Sequence, residues 1–146
     1  MSNAADSSDA VGAVNSVEVV SAPQRRRILI VEDDARLARL LQEYLSTHGY
    51  DADVESRGDR AVDRIWREDP ALVVLDLMLP GITGPEVLDA MSHGPATAQL
   101  PVIVVTGATL SQRELGSLNV VTMLRKPVDP DDLVDAVYLA LHGRRE

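Results

Sequence analysis

The stretch Leu72-Val73-Val74-Leu75-Asp76-Leu77-Met78-Leu79-Pro80-Gly81 constrains the fold more than any other: an aliphatic run presents one carboxylate and then breaks at Pro-Gly. A short continuous run of Val and Leu bounded by turn residues suits a strand buried on both faces of a parallel sheet. An ionised carboxylate in such a place is unfavourable unless it is paired, metal-bound or at a mouth open to water. Asp76 therefore reads either as a turn-initiating residue before Pro-Gly or as part of a site at the strand's C-terminal end. A second acidic group elsewhere decides between them.

Four further strands can be read. Ile28-Leu29-Ile30-Val31 is fully apolar and runs into Glu32-Asp33-Asp34. After it, Leu37, Leu40, Leu41, Tyr44 and Leu45 recur at helical spacing on one face, with Gly49 past the helix end and Asp34 as its N-cap. Tyr50 to Glu55 alternates, which places Ala52 and Val54 inward and Asp51, Asp53 and Glu55 on the charged face of an edge strand. Gly58-Asp59 is expected to cap a helix running through Ala61, Val62, Ile65 and Trp66 and stopping before Asp69-Pro70. Gly84-Pro85 opens a helix with Val87, Leu88 and Met91 inward. The next strand, Pro101 to Val105, ends on Thr106-Gly107, and Ser111-Gln112-Arg113-Glu114 matches a capping box for a short helix. Val120 to Leu124 is the fifth strand, ending in Arg125-Lys126-Pro127. Asp129-Pro130 then caps a last helix with Leu133, Val134, Val137 and Leu141 inward.

Composition narrows the class. Phe is absent and Trp occurs once, so the core is aliphatic; the absence of Cys excludes disulfides, thiolate catalysis and Cys-based metal sites. A net charge of −9 with acids along the whole chain argues against binding nucleic acid or an anionic membrane surface. Arg25-Arg26-Arg27 is the one basic cluster, and before a strand it reads as keeping a linker solvated. No apolar stretch reaches membrane-span length and no secretory segment is evident, so a soluble cytoplasmic protein is expected. Residues 1–25 read as a disordered tail whose first four residues look like a cloning remnant, and 26–143 as one folded domain.

Strands alternating with helices imply a parallel sheet with right-handed crossovers and helices on both faces. In such sheets ligands sit at the C-terminal strand edge. Glu32, Asp33, Asp76, Thr106 and Lys126 each follow or close a strand and so converge on that edge. Carboxylates brought together favour a shared proton or a hard divalent cation, and all-oxygen donors point to Mg²⁺ or Mn²⁺. A metal, a hydroxyl and an ammonium group beside one carboxylate describe a phosphoryl site in which that carboxylate attacks phosphorus. Asp76 stands alone on its strand and suits the nucleophile, whereas adjacent Glu32 and Asp33 suit the metal. Lys126 is the single lysine beside thirteen arginines, and a compact ammonium acts on phosphate as a point charge.

Val31-Glu32-Asp33-Asp34, Val74 to Gly81 with Gly84, Pro101 to Gly107 and Leu124-Arg125-Lys126-Pro127, in that order, resemble the receiver domain of two-component response regulators. The resemblance covers 26–142. It implies a flavodoxin-like, doubly wound sheet of order 2-1-3-4-5, as in the chemotaxis regulator. It also implies Asp76 as phosphoacceptor, with phosphate supplied by a histidine kinase or phosphotransfer protein. Asp33 would bind Mg²⁺ directly and Glu32 through water, with the Met78 backbone carbonyl as a further ligand. Thr106 would be the switch hydroxyl and Lys126 the phosphate contact, with a cis Lys126-Pro127 bond. The chain would catalyse only its own phosphorylation and dephosphorylation and signal to a downstream protein or a fused effector or kinase.

Met123 stands where the family often has Tyr or Phe, and Val128 where Phe is common, so the aromatic form of the switch is missing. The twenty positions between Thr106 and Lys126 imply a short or irregular helix between the last two strands. The alternatives are a degenerate receiver that binds proteins without phosphorylation and a Mg²⁺-dependent aspartyl-phosphate hydrolase. Against the hydrolase, Met78 occupies the position where such enzymes carry a second acid.

Overall fold

The computed structural model describes residues 25–107 and 120–143. In chain order the elements are β1 (Arg27–Val31), α1 (Ala35–Thr47), β2 (Asp51–Glu55), α2 (Gly58–Glu68), β3 (Leu72–Asp76), α3 (Gly84–Met91), α4 (Pro95–Ala98), β4 (Val102–Thr106), β5 (Val120–Arg125) and α5 (Pro130–His142). The five strands form one parallel sheet in the order β2-β1-β3-β4-β5. The parallel sheet is what the alternation of strands and helices implied, and its order is the 2-1-3-4-5 that the resemblance implied.

Because successive side chains of a strand point to opposite faces, the three central strands supply two cores at once. Leu29, Val31, Val73, Leu75, Val102 and Val104 face α2 and α3, where Ala61, Ile65, Val87, Leu88 and Met91 meet them. Ile28, Ile30, Leu72, Val74, Ile103 and Val105 face α1 and α5 and pack on Leu41, Leu45, Leu133 and Val137. The strands are parallel and close to in register, with Val31 opposite Leu75 and Asp76 opposite Val105, so their polar C-terminal ends finish on one edge.

Helix boundaries follow local chemistry. Asp34 caps α1 by accepting the Arg36 and Leu37 N–H groups, and Asp129 caps α5 by accepting that of Asp131. As expected, α3 opens at Gly84 with Pro85 in its first turn. Thr83 is the N-cap, in a reciprocal capping box with Glu86. For α2 the expected cap is replaced: Arg57 is the N-cap residue and gives no side-chain hydrogen bond.

Several burial expectations are corrected. Leu40 and Trp66 lie on the predicted inward stripes yet are about half exposed, at 48% and 56%. Ala38, Leu41 and Leu45 carry the packing of α1, and Ala61 and Ile65 that of α2. Glu55 is buried rather than solvated, because Arg64 reaches back from α2 to within 3.6 Å of its carboxylate. The basic cluster is engaged as well. Arg25 donates to the carbonyls of Ser46, Gly49 and Tyr50 at the C-terminal end of α1, where cations are favoured, and Arg27 pairs with Asp53 and Glu68. The short helix α4 was not legible in the sequence. The capping box expected at Ser111 to Glu114 and most of the expected tail lie outside the described residues. No helix among those described is long and apolar enough to cross a membrane.

Candidate functional site

The site is assembled from three loops at the C-terminal edge of the sheet. The first follows β1: Glu32 N–H donates to the Glu55 carbonyl (3.0 Å), extending the parallel ladder by one residue and turning the Glu32 side chain into the interior. Its carboxylate accepts the Asp34 N–H at 3.1 Å. Asp33, between them, is exposed. The second loop leaves β3 at Asp76, whose Oδ1 accepts the Met78 N–H at 3.0 Å. The third follows β5, where Lys126 N–H donates to the Thr106 carbonyl (2.9 Å) and the Lys126-Pro127 peptide bond is cis.

These loops bring the predicted residues together. Carboxylate oxygens of Glu32, Asp33 and Asp76 lie within 4.8 Å of one another. Glu32 and Asp76 are both 3% exposed, and Lys126 Nζ lies 3.0 Å from Glu32 Oε1 and 3.1 Å from Asp76 Oδ2. Thr106 is fully buried at the end of β4. Met78 is carried outward and is 67% exposed, beside its backbone contact to Asp76.

The electrostatics follow from two buried acids sharing one ammonium group. Burial pushes the Glu32 carboxyl above the ordinary carboxylate range, and the Asp76 charge adds to this against the opposing Asp34 N–H and Lys126. Partial burial pulls the Lys126 ammonium down, but hydrogen bonds and charge from Glu32 and Asp76 outweigh it and hold the group above its ordinary value. Glu32 is thus raised chiefly by burial, and Lys126 by the two carboxylates that share it. Three carboxylates with all-oxygen donor chemistry and no His or Cys fit a hard divalent cation.

The contacts that hold these loops in place are not legible in the sequence. Gly84 N–H donates to the Leu77 carbonyl (3.1 Å), and a Cβ on Gly84 would lie 2.4 Å from Leu77 Cα, so only glycine lets the loop after β3 close so tightly. Gly81 takes φ +82 in the same loop, in keeping with the expected turn at Pro80-Gly81. Gly84 stands in the motif that carries the receiver resemblance and at the helix start, but its close approach to Leu77 leaves no sequence pattern of its own.

The response regulator receiver domain family matches residues 28–138. The chain is 33% identical to the sporulation initiation phosphotransferase F of Bacillus subtilis over 117 residues, which cover 79% of this chain and 94% of that protein. It is 35% identical to the DNA-binding response regulator MtrA of Mycolicibacterium paratuberculosis over 119 residues, covering 80% of this chain and 52% of that protein. Over 80 residues it is 39% identical to the phosphate regulon transcriptional regulatory protein PhoB of Rhizobium meliloti, covering 55% of this chain and 35% of that one. It thus spans less than half of several longer transcriptional regulators it matches. Among solved structures, a putative response regulator from Chloroflexus aurantiacus superposes with a TM-score of 0.73 at 28% identity, covering 82% of this chain and 99% of that one. A sensor protein from Polaromonas does so with a TM-score of 0.73 at 34% identity, covering 81% and 97%.

Proposed function

The chain belongs to the response regulator receiver family, and from that premise we propose that Asp76 accepts a phosphoryl group in a Mg²⁺-dependent reaction. The observation that carries this reading is the placement of Asp76: a buried carboxylate at a strand end, with Lys126 Nζ 3.1 Å from Oδ2 and two further carboxylates within 4.8 Å. The donor is the phosphohistidine of a histidine kinase or phosphotransfer protein. A carboxylate oxygen of Asp76 attacks phosphorus, the phosphorus–nitrogen bond breaks, and the imidazole leaves with its electron pair while Asp76 becomes an acyl phosphate.

Asp33 and Asp76 would hold a Mg²⁺ directly, with Glu32 through water and the Met78 carbonyl as further ligands, and the ion would supply positive charge at the transferring oxygens. Asp76 is oriented for attack by the Met78 N–H on its other oxygen. Lys126 follows the charge, passing from the free carboxylate pair to the phosphoryl oxygens. Thr106, at the end of the neighbouring strand, donates its hydroxyl to the phosphoryl group. Drawing Thr106 toward that group reshapes the surface around Gly107, after β4, and Met123, on β5, which is read by a downstream protein or a fused effector. Met123 in place of an aromatic residue makes this switch depend on aliphatic repacking. The chain is a phosphoacceptor that acts in the cytoplasm by protein contact and not directly on nucleic acid.

The test is intact mass after incubation with acetyl phosphate and Mg²⁺. One hydroxylamine-labile phosphoryl adduct is expected on the wild type and none on Asp76→Asn or in the presence of EDTA. No adduct on the wild type, together with no Mg²⁺ binding, would move the function to phosphorylation-independent protein binding.

A further inference from the structure

The two halves of the acidic cluster lie just after β1 and at the end of β3, and a continuous set of contacts joins them through a third place, the junction of β2 and α2. Glu32 N–H bonds the Glu55 carbonyl, and the Glu55 carboxylate accepts the Arg57 N–H at 3.1 Å. Arg57 is followed by Gly58, whose N–H points at the Pro80 carbonyl (3.4 Å) in the loop after β3. At Gly58 the two segments touch backbone to backbone. A Cβ there would lie 2.1 Å from the Ile82 carbonyl oxygen and 3.0 Å from its carbon. The Arg57 and Asp59 side chains, paired at 3.0 Å, lie against Gly81 from the same side: a Cβ on Gly81 would be 3.0 Å from Asp59 Oδ1 and 3.1 Å from Arg57 Nη2. The far end of the loop is fixed by the close approach of Gly84 to Leu77 and to the Asp76 carbonyl.

We propose that this junction is a second support for the cation site and that Gly58 is a positioning residue for divalent-metal binding. The absence of a side chain at 58 lets α2 hold the loop of residues 77–83 at the distance that the Glu32 and Asp33 side requires. The inference rests on the reading of Glu32, Asp33 and Asp76 as a cation site. Any side chain at 58 must push the Ile82 carbonyl away, because the atom it meets is backbone. The displacement passes along the short loop to Met78, one of the proposed ligands, and to its hydrogen bond with Asp76. Gly58 touches no metal and no reacting atom, so its substitution changes metal affinity through loop position.

The experiment measures Mn²⁺ binding by electron paramagnetic resonance on the full chain, with folding checked by circular dichroism. Gly58→Ala is compared with Ile65→Ala, which removes core packing from the same helix without entering the loop. Gly58→Ala is expected to raise the Mn²⁺ dissociation constant about tenfold or more, the usual scale for residues that orient metal ligands. Ile65→Ala is expected to lower the unfolding midpoint and leave the constant within about twofold. Gly81→Ala disturbs the same loop from its own side, through the strain of a side chain at φ +82 and its approach to Arg57 and Asp59, and also raises the constant; it decides the matter should Gly58→Ala not fold. Unchanged Mn²⁺ affinity in the glycine variants, or an equal loss in Ile65→Ala, overturns the proposal alone. A wild-type chain that takes up no Mn²⁺ overturns both the proposal and the cation site beneath it.

Discussion

Lys126 contacts two buried carboxylates with one ammonium group, and that ratio governs how the site responds to change. Removing the ammonium leaves Glu32 and Asp76 facing each other in a place where neither is hydrated. Lys126→Met is therefore expected to lose about 1–3 kcal/mol of stability without divalent metal, measured by urea unfolding. Millimolar Mg²⁺ should recover most of the loss, because it neutralises the same charge. Equal stability of the variant and wild type in EDTA would contradict the charge account. Lys126, Glu32, Asp33, Asp76 and Thr106 were legible in the sequence because each is a polar residue closing an apolar run. The burial of Glu55 was not. Alternation along one strand says which residues share a face, but whether a charge on that face is covered depends on Arg64 from another element.

At the scale of elements, α1 and α5 lie on the same face of the sheet, and Tyr44 of α1 donates its hydroxyl to the Asp131 carboxylate at the start of α5. That hydrogen bond, with the nearby charges of Asp131, Asp129 and Asp135, raises the Tyr44 phenol above its ordinary value. A phenol held protonated in the fold contributes stability that is complete below the unfolded value, about pH 10, and is lost as pH rises through the folded one. Tyr44→Phe should therefore show a shallower alkaline decline in stability than wild type. Part of the decline remains, because burial also raises Tyr50 and the carboxylate partners raise Lys126. An unchanged pH profile would place the alkaline loss elsewhere. Strands and most helix starts could be read from caps and periodicity. The stripes over α1 and α2 were read too wide, since Leu40 and Trp66 sit at stripe margins that no neighbouring element covers among the described residues.

The molecule is an aliphatic two-sided sheet with a net charge of −9, and among the described residues buried acidic charge is gathered at the strand edge. The fold was legible because buried parallel strands leave continuous apolar runs; the loop geometry was not, because backbone approaches at Gly58 and Gly84 leave no periodic trace. A cation that binds the folded chain stabilises it by mass action, about 2.7 kcal/mol at a hundredfold excess over its dissociation constant. At matched ionic strength, Mg²⁺ should raise the thermal midpoint of wild type, whereas Asp33→Asn should respond no more than it does to KCl. An equal Mg²⁺ response in both would remove Asp33 from the site. The most direct measurement of the central claim traps the acyl phosphate. The chain is phosphorylated with acetyl phosphate, reduced with borohydride, digested and sequenced by mass spectrometry. The account predicts homoserine at position 76 and nowhere else. Reduction products at Asp33 or another acid, with Asp76 intact, would contradict it.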